Sequence, residues 1–212
     1  MTELIITKPD DMHLHLREGD ILKHVVKDTQ KQFARAIVMP NLKNPIKSVD
    51  QAEIYYQDIK KNTEDLNFEP LMTLFFNNAL NIDEIRKVSE SSLVHAIKLY
   101  PSGVTTNSKD GVDAIENCFN IFELMQKFDV PLLVHAESND KNVDIFDREK
   151  VFIDRNLSQI HDEFPNLRIV VEHISSKEAA EFVFNSGDKV CATITPQHLL
   201  FDRNDLLCDG IK

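Results

Sequence analysis

The 212-residue sequence predicts an α/β fold, a (β/α)8 barrel in which parallel strands alternate with helices. Short apolar runs recur along the chain with amphipathic segments between them, and such runs suit parallel strands that are covered on both faces. Polar residues follow the C-terminal ends of these runs. A barrel gathers all those ends at one rim, whereas an open sheet spreads them along an edge. The sequence also has no Gly-x-Gly-x-x-Gly or P-loop motif, which would favour a nucleotide-binding open sheet.

Seven strands are predicted, at roughly the thirty-residue spacing of a barrel of about 250 residues. They cover residues 12–16, 36–39, 71–76, 96–100, 131–135, 168–173 and 190–195. Three-to-four spacing of apolar residues predicts helices at 49–59, 112–125, 144–164 and 179–184. We therefore expect one domain over residues 1–212 with about seven of eight strands, incomplete at its C-terminus. The eighth strand is expected beyond Lys212.

Composition narrows the classes of partner and the cellular location. The net charge is −11 and no basic run occurs, which argues against nucleic acid or an anionic membrane surface as the main partner. No apolar run approaches the length of a membrane span. Cys118, Cys191 and Cys208 are scattered and form no C-x-x-C pair, which is typical of reduced, structural cysteines. We expect a soluble protein of the cytoplasm.

The first strand carries the most informative motif. In an extended strand His13, His15 and Arg17 share one face, because alternate side chains point the same way. Two imidazoles at this spacing can bind one metal ion, and the guanidinium beyond them can bind a carboxylate through two hydrogen bonds. A His-x-His pair taken alone is also compatible with a purely structural role.

Two further histidines favour the metal site. His135 and His173 each stand at the predicted end of another strand, so four imidazoles on three strand ends are expected at one rim. Imidazole suits zinc, and oxygen ligands can complete the coordination. His198 follows the seventh strand and could also reach this rim. The remaining histidines are expected to be structural or on the surface; they are His24, His95 and His161.

Lys98 lies in the fourth predicted strand and shares its face with Ala96 and Tyr100. One interpretation is a lysine whose ammonium reaches water at the strand end. At a metal-lined rim, however, burial and nearby cations favour the neutral amine. A neutral amine can take up carbon dioxide as a carbamate, whose two oxygens could bridge two metal ions.

Asn41, taken alone, is interpreted as a turn residue after the second strand. The loop at residues 101–111 has two open interpretations. It is long, polar and flanked by glycines, and could be a solvated connection. It could instead be a lid that closes over a substrate, with hydroxyl groups from Thr105 and Thr106.

These motifs together resemble dihydroorotase, in the short stand-alone bacterial type of the amidohydrolase superfamily. The similarity runs in order along nearly the whole chain. Its segments are Asp-Met-His-Leu-His-Leu-Arg-Glu-Gly-Asp at 11–20, Ala-Ile-Val-Met-Pro-Asn-Leu at 36–42, Ala-Ile-Lys-Leu-Tyr-Pro at 96–101, Pro-Leu-Leu-Val-His at 131–135, Val-Glu-His-Ile at 171–174 and Ala-Thr-Ile-Thr-Pro-Gln-His-Leu at 192–199.

The resemblance implies a barrel of the metal-dependent hydrolase type with two zinc ions per subunit. His13 and His15 would hold the more buried ion, and His135 and His173 the more exposed one. An N6-carboxylated Lys98 and a hydroxide would bridge the two. In the hydrolytic direction that hydroxide would attack the ring amide carbonyl.

The resemblance also implies the substrate and its contacts. Arg17 and Asn41 would bind the substrate carboxylate, His135 would add a contact, and Thr105 and Thr106 would belong to a mobile loop. The reaction would be the reversible cyclisation of N-carbamoyl-L-aspartate to (S)-dihydroorotate in de novo pyrimidine (UMP) biosynthesis. A homodimer is the expected assembly.

One departure from the family pattern matters for catalysis. The family places its proton-transferring aspartate at the end of the eighth strand, which is expected beyond Lys212. No catalytic residue is therefore expected within residues 1–212, and this chain alone is expected to be weakly active or inactive. The alternatives are another cyclic amidase, similar to hydantoinase or allantoinase, and a non-catalytic homologue that binds metal or a partner.

Overall fold

The computed structural model describes residues 3–65, 67–208 and 210. Seven strands form one parallel sheet in which each strand pairs with the next one along the chain. This confirms the predicted α/β fold, as a curled and open barrel. The strands are β1 (Asp11–Leu14), β2 (Arg35–Val38), β3 (Glu69–Phe75), β4 (Val94–Leu99), β5 (Leu132–Val134), β6 (Ile169–Val171) and β7 (Val190–Ala192).

Helices fill the connections between the strands and cover the outside of the sheet, and two further short helices follow the last strand. They are α1 (Gly19–Gln32), α2 (Val49–Asn62), α3 (Ile82–Glu90), α4 (Phe119–Lys127), α5 (Arg148–Phe152), α6 (Ser158–Glu163), α7 (Lys177–Asn185), α8 (Pro196–Leu200) and α9 (Arg203–Leu207). Side-chain caps start five of them, where a residue before the helix accepts hydrogen bonds from backbone N–H groups of the first turn; the capping residues are Ser48, Asn81, Ser176, Thr195 and Asp202. None of the described helices is long and apolar enough to span a membrane.

Two apolar layers hold the sheet. The larger layer lies between sheet and helices and includes Leu22 of α1, Ile59 of α2 and Phe122 of α4. The smaller layer fills the inside of the curl, where Met39, Ala96 and Leu133 pack together. Because side chains two residues apart on a strand share a face, Ala96 directs Lys98 into the same interior, one step nearer the C-terminal rim.

The observed elements differ from the predicted ones mainly at their ends. All seven predicted strands are present, but β1 stops at Leu14, and Arg17 beyond it has a positive φ of 60°, outside the extended region. The strand alternation that grouped Arg17 with the two histidines is therefore wrong for this residue. The helix predicted at 112–125 begins later, because Val112 stays extended and donates its N–H to the Tyr100 carbonyl at 2.8 Å.

The sheet has an open seam between its first and last strands. In the described part of the chain, β1 and β7 each pair with one neighbour only. A groove of about 610 Å³ lies between them, lined by Met12 and His13 on one side and by Ala192 and Thr193 on the other. The groove lies where the eighth strand of a closed barrel runs.

Leu133→Ala should lower the free energy of unfolding by about 2–5 kcal/mol, because it leaves a cavity in the inner layer of the curl. Leu133 is 2% exposed there. Urea unfolding followed by circular dichroism measures the effect. Ile54→Ala on α2 is the control, since Ile54 is 71% exposed. Equal losses in the two variants would contradict the packing described.

Candidate metal and substrate site

Four imidazoles meet at the C-terminal rim of the sheet. His13 lies on β1, His15 directly after it, His135 after β5 and His173 after β6. Ring centroids are 5.0 Å apart for His13 and His15, 5.1 Å for His13 and His173, and 4.5 Å for His135 and His173. The Nε2 atoms of His13 and His15 are 3.1 Å apart. The structure thus brings together the four histidines that the sequence selects.

Two turns of positive φ set the directions of the side chains at this rim. His173 has φ of 44°, and its backbone N–H donates to Thr193 Oγ1 at 2.7 Å. Arg17 has φ of 60°, and its carbonyl accepts from the Tyr55 hydroxyl at 2.8 Å. A non-glycine residue in this region costs on the order of 1 kcal/mol or more. Both backbones are held there by contacts from neighbouring elements, at the ends of two strands that carry the site.

Lys98 lies inside the curl on β4 and is fully buried. Burial lowers the pKa of its amine well below the ordinary value, because the charged form loses its hydration. Its Nζ has no hydrogen-bond partner among the described residues. The nearest carboxylate oxygen, Glu172 Oε2, is 3.8 Å away, and the Tyr100 ring centroid is 5.3 Å away. This environment favours the neutral amine that carbamate formation requires.

Burial also favours the neutral form of three of these imidazoles, those of His13, His15 and His173. Burial, together with the nearby cation of Arg17, lowers the pKa of His15 to about 4. Burial is the main cause that lowers the pKa of His173 to about 2, and burial also lowers the pKa of His13 strongly. A neutral imidazole carries the nitrogen lone pair that binds a metal ion, so the group is prepared for ligation near neutral pH.

Buried polar atoms without hydrogen-bond partners show whether this rim is suited to a bound metal ion or ligand. Across the described ranges, seven buried side-chain atoms lack a hydrogen-bond partner. Six belong to this rim, and they are Arg17 Nη1, Asn41 Oδ1, Lys98 Nζ, Tyr100 Oη, His135 Nε2 and Glu172 Oε1. Buried polar atoms are normally hydrogen-bonded, so this concentration indicates a site built for a ligand. Imidazole with oxygen donors is a set that suits zinc.

The candidate ligand atoms do not converge on one point in this structure. Over the described residues, no three His, Cys, Asp or Glu side chains form a group arranged to hold a metal ion. The fit of zinc to this rim therefore depends on donor type, neutral imidazoles and unpaired buried atoms. The assignment of His13, His15, Lys98, His135 and His173 as ligands stays a prediction.

Asn41 and the loop at residues 101–111 are joined to each other. Asn41 follows β2 and is 2% exposed. Its Nδ2 donates to the Thr106 carbonyl at 3.0 Å, and Asn107 Nδ2 donates to the Asn41 carbonyl at 3.0 Å. The buried hydroxyl of Ser108 donates to the Thr105 carbonyl at 2.7 Å and accepts from the Thr105 N–H. The loop is therefore ordered by its own contacts and by Asn41.

A cavity of about 400 Å³ opens in front of the imidazoles. Thr105 lines it, whereas Thr106 takes part through its backbone carbonyl on Asn41. Burial is the main cause of the pKa shifts of His15 and Tyr100, and the cation of Arg17 acts on both groups as a further cause. The full lining is His13, His15, Tyr100, Thr105, His135, Glu137, His173, Thr195, Gln197 and His198.

The structure adds residues that the sequence patterns did not assign to the site. Glu172 is buried against His13, and Tyr100 stacks on Phe75 with ring centroids 5.1 Å apart. His198 reaches the cavity, as the sequence allowed. The sequence did contain a signal for Glu172. This carboxylate comes directly after the apolar run of β6, and a buried carboxylate needs a partner.

The chain belongs to the amidohydrolase family, whose sequence profile matches residues 5–210. Within that family it is similar to proteins named dihydroorotase. It is 52% identical over its whole length to a dihydroorotase of Picosynechococcus, and it spans 62% of that protein. The chain therefore covers less than two thirds of the length of this curated relative.

Solved structures of dihydroorotases are also similar to this chain. The dihydroorotase of Campylobacter jejuni superimposes with a TM-score of 0.89 at 36% identity, over 97% of this chain and 59% of that one. The dihydroorotase of Saccharomyces cerevisiae, solved in complex with 5-fluoroorotic acid, gives a TM-score of 0.85 at 30% identity, over 95% and 59%. Both are consistent with the predicted family resemblance.

The metal-free chain should lose stability as the pH falls from 6.5 towards 4. His15 has a folded pKa of about 4 against an ordinary value of 6.5, so the unfolded chain binds its proton first. Its contribution is complete above pH 6.5 and declines below it, by up to about 1.4 kcal/mol per pH unit. Urea unfolding of the parent and of His15→Gln at pH 4–7 measures this. Identical pH slopes in the two proteins would refute the buried neutral His15.

Proposed function

We propose that the protein is a dihydroorotase, which interconverts N-carbamoyl-L-aspartate and (S)-dihydroorotate in de novo pyrimidine biosynthesis. The observation that carries this proposal is one rim that combines four closely spaced imidazoles, a fully buried lysine and the buried guanidinium nitrogen of Arg17. The relatives named dihydroorotase support it, and one of them binds 5-fluoroorotic acid, a pyrimidine carboxylate. A small anionic substrate suits Arg17, although the chain as a whole is acidic.

In this proposal the rim holds two zinc ions. His13 and His15 would hold one, His135 and His173 the other, and the carbamate of Lys98 would bridge them. The neutral Nζ of Lys98 forms a bond to the carbon of CO2 and releases a proton, which gives an anion with two oxygen donors. Bound zinc would lower the pKa of a water molecule and polarise the amide carbonyl of the substrate.

Arg17 and Asn41 would orient the substrate through its carboxylate. Nη1 of Arg17 is buried and, as far as the described residues show, unpaired, so it can donate to an anion without first breaking another contact. Nδ2 of Asn41 has two hydrogens, and Thr106 uses one. The second remains for the substrate carboxylate, so one amide would contact substrate and loop together. Thr105 would close the outer side of the cavity.

The proposal extends to assembly and location. We propose a homodimer in the cytoplasm, as in the family that the sequence resembles. Sedimentation or gel filtration of the purified protein would give the mass of the assembly, and a monomeric mass at working concentration would contradict the dimer.

A chain extended by an eighth strand that ends in an aspartate should be active. The 212-residue chain alone should be slower by roughly 10²–10⁴-fold, the usual contribution of a general acid–base group. Turnover of both proteins with dihydroorotate and zinc measures the difference. An extended chain whose aspartate is replaced by asparagine is the control. Equal turnover by the short chain would show that no such aspartate is required.

Arg17→Ala in the active protein should raise KM for dihydroorotate about 10- to 100-fold, because a charge-assisted pair with the substrate carboxylate is lost. Arg86→Ala, on α3 and largely exposed, is the matched control and should leave KM unchanged. Hydantoin has no carboxylate, so Arg17→Ala and the parent should have the same KM for hydantoin. Unchanged KM in Arg17→Ala, or preferred turnover of hydantoin or allantoin, would favour another cyclic amidase.

A further inference from the structure

Glu172 makes a contact that joins distant parts of the sheet. It follows β6 directly, and its backbone N–H donates to the Val134 carbonyl at 3.0 Å, which continues the pairing with β5. Its side chain is 1% exposed and its Oε2 is bonded to His13 Nδ1 on β1. Strands β1 and β6 are not neighbours in the sheet, so this bond crosses the inside of the curl.

The bond leaves the other nitrogen of His13 facing the site. A carboxylate accepts a hydrogen bond, so Nδ1 of His13 is the donor and carries the hydrogen. Nε2 of the same ring then carries the lone pair, and it lies 3.1 Å from His15 Nε2. The two nitrogens nearest to each other are those that a shared metal ion would contact.

We infer that Glu172 is a positioning residue that fixes the tautomer and the ring orientation of His13 for metal binding. The inference rests on the metal site proposed above. A carboxylate that holds the second nitrogen of a metal-binding histidine raises ligand basicity and locks the ring, and losing such a partner typically weakens metal binding about 10- to 100-fold.

Two other roles for Glu172 predict different behaviour. Glu172 Oε2 lies 3.8 Å from Lys98 Nζ, so Glu172 could serve only as a counter-ion of Lys98. In that case, replacing Glu172 would leave the tautomer of His13 unchanged. As a direct metal ligand, it would have to release His13, and a variant would lose one bound ion entirely. A positioning role instead lowers affinity while stoichiometry is kept.

Glu172→Gln and Glu172→Ala test the inference without an activity assay. Zinc affinity is measured by competition with a chromophoric chelator and zinc content by mass spectrometry, on the 212-residue chain. Nitrogen-15 NMR of the metal-free imidazoles gives the tautomer of His13. Glu149→Gln is the matched control, because Glu149 is a buried glutamate that bonds the Ser175 N–H and hydroxyl instead. Circular dichroism confirms that each variant is folded.

We expect zinc affinity to fall about 10- to 100-fold in Glu172→Ala with unchanged stoichiometry, and the hydrogen of His13 to leave Nδ1 in part of the population. Glu172→Gln should lose less affinity, because its amide oxygen can still accept. Glu149→Gln should match the parent. If the parent and both Glu172 variants bound zinc equally tightly, the positioning role of Glu172 would be overturned while the proposed metal site would stand. A parent that binds no zinc would overturn the metal site and the inference with it.

Discussion

Parallel pairing in chain order is the constraint on which the site depends. Each strand lies beside its sequence neighbour, so every strand runs in the same direction and every C-terminal end lies at the same rim. The curl then brings strands that are far apart in the sheet, such as β1 and β6, to face each other across the interior. The backbone topology collects the four histidines at one rim, and the positive φ of His173 then sets the direction of that side chain.

The sequence predicted the parts of the structure that depend on periodicity. Apolar runs located all seven strands, because a strand covered on both faces has few alternatives to an apolar composition. The same logic located the site: His135 and His173 are polar residues at the ends of buried strands, where topology forces them together. Lys98 was selected because its strand places it at a rim with several histidines, where burial and nearby cations favour a neutral amine, although the sequence also allowed an ammonium that reaches water.

The sequence patterns could not supply details that arise from contacts between distant segments. The positive φ of Arg17 depends on the Tyr55 hydroxyl from α2, which no local pattern records. The bond between Asn41 and Thr106 joins two loops that are 65 residues apart. Glu172 contacts a histidine that lies 159 residues earlier in the chain, and only the curl of the sheet shows that the two side chains meet. Periodicity identifies which residues are buried, whereas the tertiary structure decides which ones touch.

Complete burial of Lys98 has a consequence for the order in which the proposed centre is assembled. A group with no exposed surface meets small molecules either through the cavity at the rim or before the chain has folded around it. Carbon dioxide is neutral and small, so in the proposed centre it would reach the amine most readily while the four imidazoles are free of metal. Ions bound at the rim would then stand between the amine and solvent. The proposed centre would therefore be assembled in order, with carbamylation before metal loading, and dissolved bicarbonate during refolding would affect how much competent protein is recovered.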